Sequence, residues 1–278
     1  MTAAIDAHAG LLGASVAAAR YAVTTPGKRV RGLLTLAAFR ACGGRGDATQ
    51  VAAALEIVHA YSLVHDDLPC MDDDVMRRGQ PTVHVVHGVK GATIAGVAMV
   101  PLAVKTIVSG CARLGLSDAR QRRVAARLMQ ASGGGGMVGG QLLDLHAEGG
   151  SLSAAELEVI HRGKTGSLIA AATAIGGMAA GASEASVDAL DRFGAAIGLA
   201  FQVMDDVLDV TSTTSALGKT AGRDTELRKS TYPGTIGLSA ARALADLLVD
   251  QGRSALRDAK LLTSDLERFA TFVVERAS

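Results

Sequence analysis

Apolar residues recur every three to four positions along most of this chain, and the elements that pattern predicts are helices. Val51 to Leu68 is apolar nearly all round, with Val51, Leu55, Val58 and Ser62 on one side and Ala54, Ile57 and Tyr61 on another. A helix of that kind is buried. Its polar exceptions are Glu56, His59 and Asp66, and the last two, seven apart, share a face two turns from each other. Pro69 interrupts the helix, and a bulge there lets Asp66 and Asp72 reach one ion. From Val187 to Val210, Leu190, Phe193, Ile197, Ala200, Phe201, Met204, Val207 and Leu208 build an apolar stripe. Gln202, Asp205, Asp206 and Asp209 stand at i, i+3, i+4 and i+7, one polar strip on a helix otherwise made for a core. Three like charges on neighbouring turns destabilise a free helix, which points to a ligand or metal role.

The remaining pattern is quieter. Residues 1 to 20 are alanine-rich and predicted helical. Ala92 to Val108 is the most membrane-like stretch, but Pro101, Lys105 and its 17-residue length argue for a buried helix. The preceding GQPTVHVVHG reads as a loop whose His84 and His87 lack the spacing of a helical metal pair. Ser117 to Ser132 is a basic amphipathic helix with Ser117 at the N-cap and its arginines on a solvated face. Six glycines among the eight residues 133–140 fit either a flexible linker or close helix approach, the latter with Gln141 and Asp144 facing a cavity. Ser153 and Glu156 form a capping signature. Lys164 and Thr165 sit beyond it among small residues, and an interior lysine needs an anionic partner from elsewhere. A polar, glycine-punctuated loop carrying Lys219 and Lys229 precedes a last amphipathic helical stretch.

Composition narrows the class. Of 278 residues, 49% are hydrophobic, largely alanine, leucine and valine, which favours packed helices over a sheet. A net charge of +1 removes any general electrostatic case for nucleic-acid or anionic-membrane binding. Three cysteines without metal-type spacing fit a reducing, cytoplasmic setting, and no basic-then-apolar leader opens the chain. The expectation is a soluble single domain over residues 1–278, not an integral membrane protein.

The chemistry concentrates between Leu63 and Gly79. Asp66, Asp67, Asp72, Asp73 and Asp74 fall within nine residues and are followed by Arg77 and Arg78. Such carboxylates repel by about 1 kcal/mol per pair at 4 Å in bulk water. Hard, oxygen-binding Mg²⁺ is the cation that suits them, while a solvated acidic loop is the alternative reading. Near Pro26–Gly27, the cations Lys28, Arg29 and Arg31 at a helix start work against the helix dipole. They suit a phosphate, or are an ordinary solvated basic turn. Two acidic clusters bridged by metal need an anionic ligand, for which diphosphate is the natural choice. The cations Lys28, Arg31, Arg78, Lys164, Lys219 and Lys229 exceed what one diphosphate needs, which suggests two.

The motifs GKRVR, EIVHAYSLVHDDLPCMDDDVMRRGQPTVH, GMVGGQLLDL, HRGKTGSLI, GLAFQVMDDVLDV and LGKTAGRDTELRKSTYP stand in the order found in trans-polyprenyl diphosphate synthases. The chain resembles that family from Gly27 to Pro233, with the bacterial farnesyl branch nearest. The resemblance implies an all-α isoprenoid synthase fold, ten or more helices around a deep central cavity, as a homodimer. It implies that Asp66, Asp72 and Asp205 bind three Mg²⁺ ions, with Asp67, Asp206 and Asp209 in support. By the same likeness Arg77, Lys164 and Lys219 contact an allylic diphosphate, and Lys28, Arg31, His59 and Arg78 hold isopentenyl diphosphate. Thr165 and Gln202 lie near the allylic carbon, Lys229 helps close the C-terminal loop, and Tyr61 stops the growing product at C15. C20 and C10 products, a terpene cyclase or head-to-head synthase, and a non-catalytic isoprenoid-binding subunit are the competing readings. The chain departs from the family pattern at Gly32, where proline is common, at Val97, where an acid is common, and at His87 and Val89–Lys90.

Overall fold

The computed structural model describes residues 1–211 and 230–275, and these are almost entirely helical. Short helices α1 (Thr2–Ala7) and α2 (Ala9–Leu12) lead into α3 (Val16–Thr24) and α4 (Val30–Ala41). The apolar-all-round stretch forms α5 (Thr49–Asp66), with ten of its side chains buried, as its pattern requires. It packs against α4 and against α6 (Val83–Arg113). Two outer helices, α7 (Asp118–Ser132) and α8 (Met137–His146), precede α9 (Ala154–His161), whose start carries the Ser153–Glu156 capping box. A π-helical turn, Arg162–Gly166, joins α9 to α10 (Ser167–Ala180) without a break in direction of the chain. The largely apolar α10 lies against α4, α7 and α11 (Glu184–Thr211). Beyond the undescribed residues, α12 (Tyr232–Ile236), α13 (Leu238–Asp258) and α14 (Ser264–Glu275) return to cover α11 and α4.

The stretch read as a loop at 79–88 is more ordered than that. Met76–Arg77 and Gln80–Pro81 pair as a two-stranded antiparallel hairpin, β1 and β2, in register Met76↔Pro81 and Arg77↔Gln80. Its two loop residues, Arg78 and Gly79, both have positive φ (53° and 76°), the signature of the turn that matches strand twist. Helix α6 starts at once, at Val83, and kinks at Gly88 (φ 75°). His84 and His87 therefore lie on a helical turn: His84 bonds Thr82 and His87 meets the Tyr21 ring edge-on. The periodicity missed this because one turn before a kink shows too few residues to reveal a period.

The glycine-rich stretch resolves in favour of close approach. A Cβ on Gly140 would stand 2.0 Å from the backbone nitrogen of Lys164, so α8 can meet the π-turn only with glycine there. Of the α7 arginines expected to face solvent, Arg123 pairs with Glu184 and Arg127 with Asp191, which tie α7 to α11. Their partners lie some sixty residues away in sequence, beyond any local pattern. Ser117 occupies the N-cap position of α7 but its side chain makes no capping bond. Helix α6 alone among the described residues is long and apolar enough to cross a membrane, and half of that window is buried against the protein.

Candidate active site

Helix α5 ends at Asp66, and the turn after it folds back so that the Asp72 amide donates to the Asp66 carbonyl at 2.9 Å. That reversal, at Pro69, is the bulge that brings the acidic residues together. Burial pushes the Asp66 carboxyl up to about 6, with Asp72 and Asp67 adding to it and Lys164 opposing. Asp67 is buried and gripped by Arg77, whose Nε and Nη2 lie 2.7 and 2.6 Å from Oδ1. Asp74, which the motif reading left without a task, takes a second bond from Arg77 at 3.4 Å.

The second motif lies mid-helix on α11. Asp206 accepts the Tyr232 amide at 3.0 Å and lies 3.4 Å from Nε2 of His161. Gln202 accepts from Thr165 at 3.0 Å, so the π-turn and α11 are joined at the residues the motifs singled out. Lys164 finds its anionic partner in Asp144 of α8 at 2.6 Å. Lys164 also lies close enough to Asp66 to lower its pKa, and Arg31 feels the charge of Asp205. Each acidic motif thus has a cation beside it, Lys164 at the first and Arg31 at the second.

A basic pocket adjoins the first motif between α3, α5 and the hairpin, lined by Tyr21, Arg29, His59, Asp67, Arg77 and Arg78. Arg78 reaches the Pro26 carbonyl at 2.8 Å, over Gly27, where a Cβ would meet its guanidinium at 2.2 Å. Arg29 and Arg78 both adopt left-handed backbone, a strain of about 1 kcal/mol each of the kind functional sites retain. Burial, then the charges of Arg31, Arg78, Arg77 and Arg29, hold the His59 imidazole well below its usual range, so it is neutral among cations. Burial lowers Arg31 to about 10, opposed by Glu56, and its Nε is buried without a hydrogen-bond partner among the described residues. Glu56, noticed in the sequence but given no role, is 5% exposed and accepts the Gly32 amide at 2.8 Å. A proline at position 32 has no N–H to donate, so Gly32 is more than a neutral backbone change.

Some expected residues stand apart. Lys28 is exposed and its Nζ sits 5.1 Å from the centroid of the Phe272 ring, away from the arginine pocket. Lys219 and Lys229 lie outside the described residues. Tyr61 is 7% exposed, its hydroxyl directed at the Ser132 carbonyl at 3.4 Å and its ring edge-on to His65. The sequence missed His161 and Tyr232, which lie 45 and 26 residues from the Asp206 they hold. A groove of about 660 Å³ between α7, α10 and α11 contains neither motif.

The chain matches the polyprenyl synthetase family over residues 15–263. It belongs to that family. This polyprenyl synthetase is 44% identical over 262 residues to the farnesyl diphosphate synthase of Escherichia coli K12, covering 92% of the chain and 87% of that protein. It is 43% identical over 243 residues to the chloroplastic geranylgeranyl pyrophosphate synthase 7 of Arabidopsis thaliana, covering 86% of the chain and 69% of the relative. Among solved structures, an FPP/GFPP synthase from Zymomonas mobilis matches with TM-score 0.82 and 32% identity, over 94% of this chain and 88% of that one. A Helicobacter pylori geranyltransferase complexed with magnesium and isoprenyl diphosphate matches with TM-score 0.81 and 30% identity, over 94% and 87%. The expected all-α isoprenoid synthase fold is the fold observed.

The donors suit magnesium by their chemistry. They are all carboxylate oxygens, and both oxygens of Asp209 are buried without a hydrogen-bond partner among the described residues. Among those residues no three acidic, histidine or cysteine side chains converge on one point. Magnesium does not require such a cage, because it keeps several waters and takes substrate phosphate oxygens into its shell.

Proposed function

We propose that this polyprenyl synthetase condenses isopentenyl diphosphate with dimethylallyl or geranyl diphosphate, with C15 farnesyl diphosphate as its main product. The observation that carries this reading is that each of two acidic motifs has a cation beside it, Lys164 at Asp66 and Arg31 at Asp205, and that an arginine-lined pocket around His59 adjoins the first motif at Asp67 and Arg77. One diphosphate belongs between the motifs and one in the pocket. Residues 1–278 act as one synthase domain.

Asp66, Asp72 and Asp205 hold magnesium, three ions with substrate bound, and Asp67, Asp206 and Asp209 support them. Bound magnesium supplies charge neutralisation for the departing allylic diphosphate. Arg77, Lys164 and Lys219 bind that same diphosphate, and their positive charge favours cleavage of the allylic C–O bond. Arg31, His59 and Arg78 hold isopentenyl diphosphate so that its double bond faces the allylic carbon, and Lys28, whose Nζ lies over the Phe272 ring, joins them by turning its flexible side chain inward. Holding both reactants in place accounts for roughly 7 kcal/mol or more of the acceleration. The unpartnered Nε of Arg31 and the cluster of Arg29, Arg77 and Arg78 around the neutral His59 support an anion beside these residues. Thr165 and Gln202 flank the allylic carbon, Lys229 acts at closure, and closure keeps water from the cation.

Tyr61 lies five residues before Asp66, about 7.5 Å along the helix, and its burial supports a role as cavity floor. Val97 and Ile94, each 60% exposed on α6, give that helix an apolar outer stripe that supports a homodimer. The protein acts in the cytoplasm. Purified protein with isopentenyl and geranyl diphosphate should form farnesyl diphosphate only when Mg²⁺ is present, and Tyr61→Ala should lengthen the product. Diphosphate release without isopentenyl diphosphate would identify a cyclase, and no turnover a binding subunit. A Tyr61→Ala enzyme still stopping at C15 would show that Tyr61 is not the floor.

A further inference from the structure

Lys28 stands outside the arginine pocket because a ring holds it there. Its Nζ lies 5.1 Å from the centroid of Phe272 on α14. An ammonium within about 6 Å of an aromatic face is attracted by the ring's quadrupole. Both residues line a groove of about 670 Å³ between α4 and α14, together with Asp265. Lys28 nevertheless makes no ion pair among the described residues, so the ring is what fixes its ammonium.

The backbone at each end of this contact is held in place. Helix α14 buries Leu266, Ala270 and Val273, and Arg253 of α13 donates to Glu267 at 2.8 Å and to Thr271, the neighbour of Phe272, at 2.9 Å. Lys28 is flanked by Gly27, over which the Arg78 guanidinium lies, and by Arg29, which lines the pocket. Arg29 is itself tied down, donating to the Val23 and Thr25 carbonyls at 3.0 and 2.6 Å. The Lys28 backbone thus sits at the edge of the pocket, while its exposed side chain is a flexible four-carbon stem.

We propose that Phe272 is a positioning residue for isopentenyl diphosphate: its ring parks the Lys28 ammonium outside the pocket in the free enzyme, and the substrate must draw the lysine off it. The proposal rests on the reading of Lys28 as an isopentenyl diphosphate ligand. Phe272 touches no reactant. It sets the fraction of molecules whose Lys28 is free to turn inward, and apparent affinity scales with that fraction. For an exposed ammonium over a phenyl ring the penalty is about two- to fivefold. At saturation every lysine has turned, so KM carries the effect and kcat does not.

The test measures KM for isopentenyl diphosphate, and kcat, at saturating geranyl diphosphate and Mg²⁺. Phe272→Leu keeps an apolar side chain but loses the aromatic face, and should lower KM about two- to fivefold with kcat unchanged. Phe272→Tyr should keep the wild-type KM, and Phe272→Trp, with the strongest face, should raise it. The effect must run through the lysine: Lys28→Met should raise KM, and adding Phe272→Leu to it should change nothing further. In proton NMR the Lys28 Cε protons should resonate upfield in the free wild type, under the ring current, and lose that shift in Phe272→Leu. Thermal melts check that each variant is folded, and if Phe272→Leu does not fold, Phe272→Trp decides, a KM no higher than wild type overturning the proposal. A KM unmoved or raised in Phe272→Leu, or lowered as much when Lys28 is already Met, also overturns it. A wild type that makes no prenyl product overturns the functional reading and this proposal with it, whereas an active wild type with an unmoved KM in the variants overturns the proposal alone.

Discussion

The two acidic motifs balance their charge in different ways. The first is built on a helix end, a turn and a hairpin, and Asp67 and Asp74 are held by Arg77, within ten residues of both. The second is embedded mid-helix, and its partners arrive from afar: Tyr232 and His161 on Asp206, and the charge of Arg31 beside Asp205. The first motif is a local device that the chain carries wherever it goes. The second exists only once α9, α11 and α12 have packed. A site that must hold a shifting diphosphate charge thus has one adaptable wall and one fixed one.

The largest effects test whether both walls share the load. Asp66→Asn and Asp205→Asn should each lower kcat by on the order of 10³-fold in steady-state assays with isopentenyl and geranyl diphosphate. If either variant keeps a wild-type rate, the motifs are not partners. Next comes the rigidity of the second wall, which depends on α8 meeting the π-turn. Gly140→Ala places a Cβ 2.0 Å from the Lys164 nitrogen and should cost roughly 3 kcal/mol in urea unfolding, and an unmoved midpoint would mean that this wall gives way freely.

The first wall should be softer. Arg77→Met leaves the buried Asp67 carboxylate without its guanidinium and should cost about 2 kcal/mol, with a double-mutant cycle against Asp67→Asn showing most of it as coupling. The smallest effect is a pH slope. Because burial and four arginines hold His59 well below 6.5, the folded protein binds fewer protons than the unfolded chain as pH falls through that value. Acidification below about pH 6.5 therefore destabilises, by up to about 1.4 kcal/mol per pH unit, and His59→Gln, which cannot protonate, should flatten this part of the curve in thermal melts. Parallel curves for the two proteins would remove His59 from the account.

Much of this site was readable because its signals are local. The apolar periodicity of α5 and α11, the strip Gln202–Asp205–Asp206–Asp209 and the Ser153–Glu156 box all lie within a few turns. The start of α6 at Val83 escaped, since a single turn before Gly88 carries no period. The Asp144 partner of Lys164 and the ion pairs of Arg123 and Arg127 escaped for another reason: 20 to 64 residues separate the members of each pair.

By itself, the sequence determined the helical class, the membership carried by its motifs and the identity of the groups that bear charge, because each depends on residues near one another along the chain. The tertiary structure alone decided which of those charges are neutralised before any ligand arrives. It made Gly32 a donor to Glu56, turned Lys164 onto Asp144 and placed His161 and Tyr232 on Asp206. Burial decides what an ionisable group does, and burial is a property of the packed helices, not of the order of residues.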